Sequence, residues 1–77
     1  MQVNVIIFGQ LTEITGGTNI MLHDITNTDT LVKALHKLYP ALAVSNYIIA
    51  LDKKVIIENT ILVNNSTVAL LPPFSGG

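Results

Sequence analysis

Asn27-Thr28-Asp29-Thr30-Leu31-Val32-Lys33-Ala34-Leu35-His36-Lys37-Leu38-Tyr39-Pro40 is the stretch whose reading decides the fold. Asn27 or Thr28 caps the free N–H groups of a helix start, and Asp29 sits favourably beside the positive end of the helix dipole. Leu31, Val32, Leu35, Leu38 and Tyr39 then recur at helical spacing on one face, with Lys33, His36 and Lys37 on the wet side. Pro40 stops the helix, because it lacks an N–H and its ring collides with the preceding turn. A single apolar stripe of this kind has to be buried against a second layer. Each aliphatic side chain so buried contributes roughly 1.5–3 kcal/mol before entropy.

The second layer is legible on both sides of the helix. Upstream, Val3 to Phe8 reads as a strand with Val3, Val5 and Ile7 on one face and Asn4, Ile6 and Phe8 on the other. The first set matches the helix stripe as a packing partner. Apolar residues on both faces near its end place this strand in the middle of a sheet. Gly9 ends it, Leu11 to Thr15 forms a short turn or helical turn, and Gly16-Gly17 is a strong break. Thr18 to His23 is the second strand and closes an antiparallel pair. Downstream, Ala41 to Asn46 is a loop, Tyr47 to Leu51 a third strand, Asp52-Lys53-Lys54 a polar turn, and Val55 to Ile57 a short fourth strand. Leu62-Val63 is expected as a buried connector. Asn64-Asn65-Ser66 is turn chemistry with Asn tolerated at positive φ. Thr67 to Leu71 is the last strand. Two strands, one main helix and three further strands make an α+β roll of the β-grasp type, a mixed sheet of about five strands on one helix.

At 77 residues the chain is one small domain, near the lower limit for a self-sufficient core, and a composition 49% hydrophobic and 12% charged compensates for the size. No Cys is present, which excludes a disulfide staple, a thiolate metal site and a nucleophilic thiol. All four basic residues are lysines, Lys33, Lys37, Lys53 and Lys54, and the net charge is −1. Without Arg or a basic stripe, nucleic-acid binding is not expected. No apolar run is long enough to span a bilayer, and the N-terminus carries no export-signal pattern. A cytoplasmic protein is the expectation. His23 is a candidate general base, but a lone His on the outward side of a strand is ordinarily just solvated.

The last strand runs into Leu71-Pro72-Pro73-Phe74-Ser75-Gly76-Gly77. Two consecutive prolines fix φ, remove two backbone donors and favour an extended exit from the strand. Gly76 and Gly77 have no Cβ, so this is the thinnest tip a polypeptide can have, and it enters a narrow channel without steric penalty. The reactive group at the tip is the α-carboxylate of Gly77. A diglycine end leaves that carbonyl open to activation as an acyl adenylate and to attack by a sulfur, oxygen or nitrogen nucleophile.

The strand, helix and strand order resembles the ubiquitin-like fold. The ending Val68-Ala69-Leu70-Leu71-Pro72-Pro73-Phe74-Ser75-Gly76-Gly77 resembles the MoaD family, the small subunit of molybdopterin synthase, within the ThiS/MoaD-like sulfur carriers. Phe8, Gln10, Glu13 and Gly16 resemble the family's first strand and the turn after it, and Leu31, Leu35 and Pro40 its helix and helix stop. Pro-Pro-x-x-Gly-Gly is the specific part; the rest is general β-grasp patterning. Three places depart from the family pattern: Asn64-Asn65-Ser66 stands for a Gly-Asp-rich turn, Thr12 for a basic residue beside Glu13, and Leu70-Leu71 for an aromatic pair.

The resemblance implies a single sulfur-carrier domain over residues 1–77 with a flexible tail over 72–77. It implies that a ubiquitin-activating-type (MoeB-like) adenylyltransferase uses ATP to adenylate Gly77. Sulfur from a persulfide donor then displaces AMP and leaves a thiocarboxylate. Pro72, Pro73, Ser75 and Gly76 would thread this end into a MoaE-like large subunit, which holds the acid–base groups. There the sulfur passes to cyclic pyranopterin monophosphate to build the molybdopterin dithiolene, within a heterotetramer of two carriers and two large subunits. No cofactor or metal is expected on the chain itself. Ile6, Phe8, Leu71 and Phe74, on the sheet face away from the helix, are the expected partner contacts, since an apolar patch with no internal cover marks an interaction site. Two related readings stay open: a thiamin-type sulfur carrier, against which Pro72-Pro73 argues, and a protein modifier joined through Gly77 to a lysine. A plain ubiquitin-like interaction module, with a passive tail, is the reading from outside this class.

Overall fold

The computed structural model describes residues 2–73. Its strands are β1 (Gln2–Ile7), β2 (Asn19–His23), β3 (Ile48–Leu51), β4 (Lys54–Ile56) and β5 (Ser66–Leu71). The helices are α1 (Thr12–Thr15), α2 (Thr28–Leu38) and α3 (Pro40–Ala43), and a 3-10 turn, Gly9–Leu11, leads from β1 into α1. The strands form one five-stranded sheet in the order β2-β1-β5-β3-β4. β1 pairs antiparallel with β2 and parallel with β5, so the sheet is mixed and β1 lies inside it, as its two apolar faces foretold.

Alternation along the strands sorts the side chains. Val3, Val5 and Ile7 of β1 and Val68 and Leu70 of β5 point inward and are buried. They meet Leu31 and Leu35 of α2 together with Leu11, Leu22, Ile25, Leu42 and Leu62 in one core. The start of α2 is fixed twice. Asn27 Oδ1 accepts from the Thr30 N–H at 2.8 Å, the N-cap expected from the sequence. Asn59 Oδ1 accepts from the Asp29 N–H at 2.9 Å, which ties the loop before β5 to the same helix end. Among the described residues no buried side-chain polar atom lacks a hydrogen-bond partner.

The β3–β4 hairpin closes through Asp52 and Lys53, both at positive φ (50° and 69°), with Leu51 paired to Lys54. Positive φ at both central residues is the turn geometry that matches the strand twist of a two-residue hairpin. Asn65, at φ 67°, takes the left-handed position foreseen for the turn before β5.

Three expectations are corrected. Pro40 ends α2 but also begins α3, so part of the stretch read as the loop 41–46 is helical. Proline at a first helical position costs nothing, because that N–H would be unpaired anyway. Leu38 is 56% exposed rather than part of the buried stripe: α2 ends there and no described residue covers it. Of the connector Leu62-Val63, only Leu62 is buried; Val63 is 66% exposed. Consecutive residues of an extended segment point to opposite sides, so only one of the two reaches the core.

Candidate functional site

Because β1 and β5 run parallel and side by side, their ends coincide. Ile7 pairs with Leu70, and the Phe8 N–H donates to the Leu70 carbonyl at 3.0 Å. The C-terminal segment therefore leaves the fold at the edge of the 3-10 turn that follows β1. Pro72, half-buried, lies over Gly9. Gly9 has φ +60°, and a Cβ built there would come 2.7 Å from Pro72 Cγ. The sequence identified Gly9 only as a strand end. Its contact with Pro72 joins residues 63 positions apart (72 − 9) and no local signal announces it.

The sheet face opposite α2 adjoins this root. Cross-strand pairing places Ile6, Ala69, Ala50 and Val55 in one row across four strands. The two alanines are short, so they form the floor of a groove whose sides are Ile6 and Val55. Phe8, 45% exposed, and Leu71 close the end nearest the tail. Thr67, Asp52 and Lys53 line the rest of this hollow of about 510 Å³. A second hollow of about 480 Å³, formed by Ile48, Val55, Leu71 and Pro72, is continuous with it through Val55 and Leu71. Asp52 and Lys53 contribute one charge of each sign, so the groove is close to neutral and its contact chemistry is apolar.

Ile6, Phe8, Leu71 and Pro72 are thus brought together at one corner. Pro73 turns the other way. It lines a separate hollow of about 440 Å³ with Gln10, Leu11, Glu13, Ile14, Ser45 and Asn46. Phe74, Ser75, Gly76 and Gly77 lie outside the described residues. Ala69, Ala50 and Val55 were not picked out in the sequence as contact residues. Only the strand register shows that their outward positions align.

His23 does not join this corner. It is exposed and pairs with Gln2, at the opposite end of β1 from Phe8. Elsewhere, His36 Nε2 and Tyr47 Oη lie 2.7 Å apart and bridge α2 to the residue before β3. Burial raises the Tyr47 pKa above the ordinary tyrosine value. Among the described residues no group of three or more His, Asp or Glu is placed to hold a metal ion. No helix among them is long and apolar enough to cross a membrane.

A mixed β-grasp sheet on one main helix, with the last strand leading into a proline-rooted tail, defines a protein of the ubiquitin-like class. The chain belongs to the ThiS family, whose model matches residues 5–77, and it is a ThiS/MoaD-like sulfur carrier. Solved structures agree on the fold. SAMP1 from Haloferax volcanii superposes with a TM-score of 0.83 at 19% identity, over 100% of both chains. The small archaeal modifier protein 1 of Methanosarcina acetivorans gives 0.82 at 25% identity, over 99% of this chain and 96% of that one. A chain in the complex of subunits 1 and 2 of the molybdopterin-converting factor from Helicobacter pylori 26695 gives 0.75 at 28% identity, over 100% of both. No curated protein matches the sequence.

Proposed function

We propose that the protein is the sulfur-carrying small subunit of a molybdopterin synthase. Its reactive group is the terminal carboxylate of Gly77. An adenylyltransferase of the ubiquitin-activating type joins that carboxylate to AMP and releases pyrophosphate from ATP. A persulfide sulfur displaces AMP, and cleavage of the resulting S–S bond by a thiol leaves a thiocarboxylate. The tail then delivers this sulfur to cyclic pyranopterin monophosphate inside a large partner subunit, where the dithiolene is built.

One observation carries the reading. The root of the tail, Pro72, is seated on the fold directly beside an apolar groove that no described residue covers. A carrier that hands over a single atom has to dock its body and aim its end in the same event, and this corner combines both. The likeness at 28% identity to a chain solved in complex with its partner subunit supports the choice of pathway. From Pro72 to Gly77 an extended tail spans roughly 20 Å, enough to enter a buried site in another protein. Proline at its root lowers the entropy lost on insertion.

The test is intact mass spectrometry of the full chain after incubation with an activating enzyme, ATP and a persulfide donor. An oxygen-for-sulfur increase confined to Gly77, followed by sulfur transfer to the pterin when the large subunit is added, is expected. No mass change with an enzyme active on its own carrier would reject the carrier chemistry. The likeness to a small archaeal modifier protein at 25% identity favours one second reading, conjugation through Gly77 to target lysines. A ladder of covalent adducts in cells, without sulfur transfer to the pterin, would select it.

A further inference from the structure

We propose that Gly9 is a positioning residue for the chemistry at Gly77: its bare Cα is the seat of the Pro72 ring, and this seat sets the direction in which the tail leaves the fold. This rests on the carrier reading only for its catalytic consequence; the geometry stands without it.

Gly9 is held from both sides. On one side, the preceding residue is tied to β5 by the Phe8 N–H to Leu70 carbonyl bond of 3.0 Å. On the other, Thr12 Oγ1 donates to the Gly9 carbonyl at 2.8 Å, and the Thr12 N–H also points to that carbonyl. The Gly9 peptide is therefore anchored to the sheet and to the first turn of α1 at once. Across from it, Pro72 is the first residue beyond β5 and has no N–H with which to extend the ladder. What stops the Pro72 ring is the surface of Gly9, where a Cβ would stand 2.7 Å from Cγ and 3.5 Å from Cδ. Real Cβ contacts do not approach so closely. With Gly9 anchored and Pro72 bordering the open hollow of Ile48, Val55 and Leu71, a side chain at position 9 pushes the tail root, not the turn. Because Pro73 is equally restricted in φ, a displaced Pro72 carries its new direction into the residues that follow.

Two substitutions separate this seat from the left-handed backbone at Gly9, which has φ +60°. Gly9→Ala brings both backbone strain and the collision with Pro72. Gly9→Asn brings the same collision with much less strain, because Asn tolerates this region. Both are expected to keep the open face intact, and so to leave the KM for the activating enzyme little changed. Both should lower kcat for adenylation by roughly tenfold to 10²-fold, the consequence of an acyl group misplaced by about 1 Å. Adding Pro72→Ala, which removes the ring, should cost far less in Gly9→Asn than in the unsubstituted chain.

A second readout does not depend on the chemistry. The chain has no Cys, so Ser75→Cys offers a single site for a nitroxide label. Paramagnetic broadening of the amides of the body then maps where the tail is aimed. The proposal expects the broadened set to move between the labelled chain and its Gly9→Asn counterpart. An unchanged broadening pattern overturns it, and so does a kcat loss that follows thermal stability in place of the presence of a Cβ. If the unsubstituted chain is never adenylated, the carrier reading fails, and the broadening pattern still decides the role of Gly9.

Discussion

The two faces of the sheet are made by the same strands and do opposite work. On the α2 side, Val3, Val5, Val68 and Leu70 are wholly removed from water, and neighbouring elements fix each of them. On the other side, Ile6, Phe8, Leu71 and Val55 are equally apolar, yet they stand half-covered or exposed around a floor of alanines. Hydrophobicity alone does not distinguish the two sets, since β1 alternates apolar with apolar at its tail end. The difference is that one face has a helix to meet it and the other has none within the described residues. Burial on the first stabilises the fold. The second leaves apolar surface that no described residue covers, at the corner where the tail departs, and this is the surface on which the proposed partner would dock.

The strongest way to break this contrast is to substitute one residue on each side. Leu35→Ala, in the fully buried set, is expected to lower stability by about 2–5 kcal/mol in urea titration. Domains of this size hold only about 0.05–0.15 kcal/mol per residue, so the variant loses a large part of its margin. Phe8→Asp on the open face should change stability by about 0.5 kcal/mol or less. It should nevertheless abolish co-elution with the large subunit on gel filtration, and an unchanged complex would remove Phe8 from the contact surface. Asn27→Ala sharpens the inner side, with an expected loss of about 1 kcal/mol from the N-cap, read as a lowered melting temperature.

The smallest effect concerns the contact between α2 and the strand it covers. Tyr47 has a folded-state pKa raised by burial above its unfolded value, so its protonated form is the one the fold favours. That contribution is fully present below the unfolded pKa of about 10. It is lost as pH rises through the folded pKa, because the unfolded chain then releases the proton first. Stability measured from pH 8 upward should decline more steeply in the native chain than in Tyr47→Phe. Superimposable curves would show that burial of Tyr47 has no part in alkaline stability.

Much of this was legible from local pattern. The period-two alternation of Val3, Val5 and Ile7 against the helical stripe of Leu31 and Leu35 identifies the core from the sequence. Asn27 and Asn65 each signal a backbone state their side chains favour, and each appears there, whereas the polar turn read over Asp52-Lys53-Lys54 is confined to Asp52 and Lys53, with Lys54 already in β4. The open-face residues Ile6, Phe8 and Leu71 were recognised by the same alternation. Leu38 and Val63 escaped because an apolar residue is buried only if something lies opposite it. Helical spacing does not tell where the opposite layer ends. α3 escaped because Pro40 is both a terminator and a good first helical residue, and the dipeptide around it does not say which role prevails.

What the sequence settled by itself, then, is whatever depends on neighbours along the chain: period, caps and turns. The tertiary structure decided whatever depends on register. Parallel pairing of β1 with β5 puts Phe8 beside Leu71, lines up Ile6, Ala69, Ala50 and Val55, and sets Pro72 on Gly9. These residues meet only when strands distant in sequence are laid side by side. Nothing in the local energetics of either segment specifies which residue will face which.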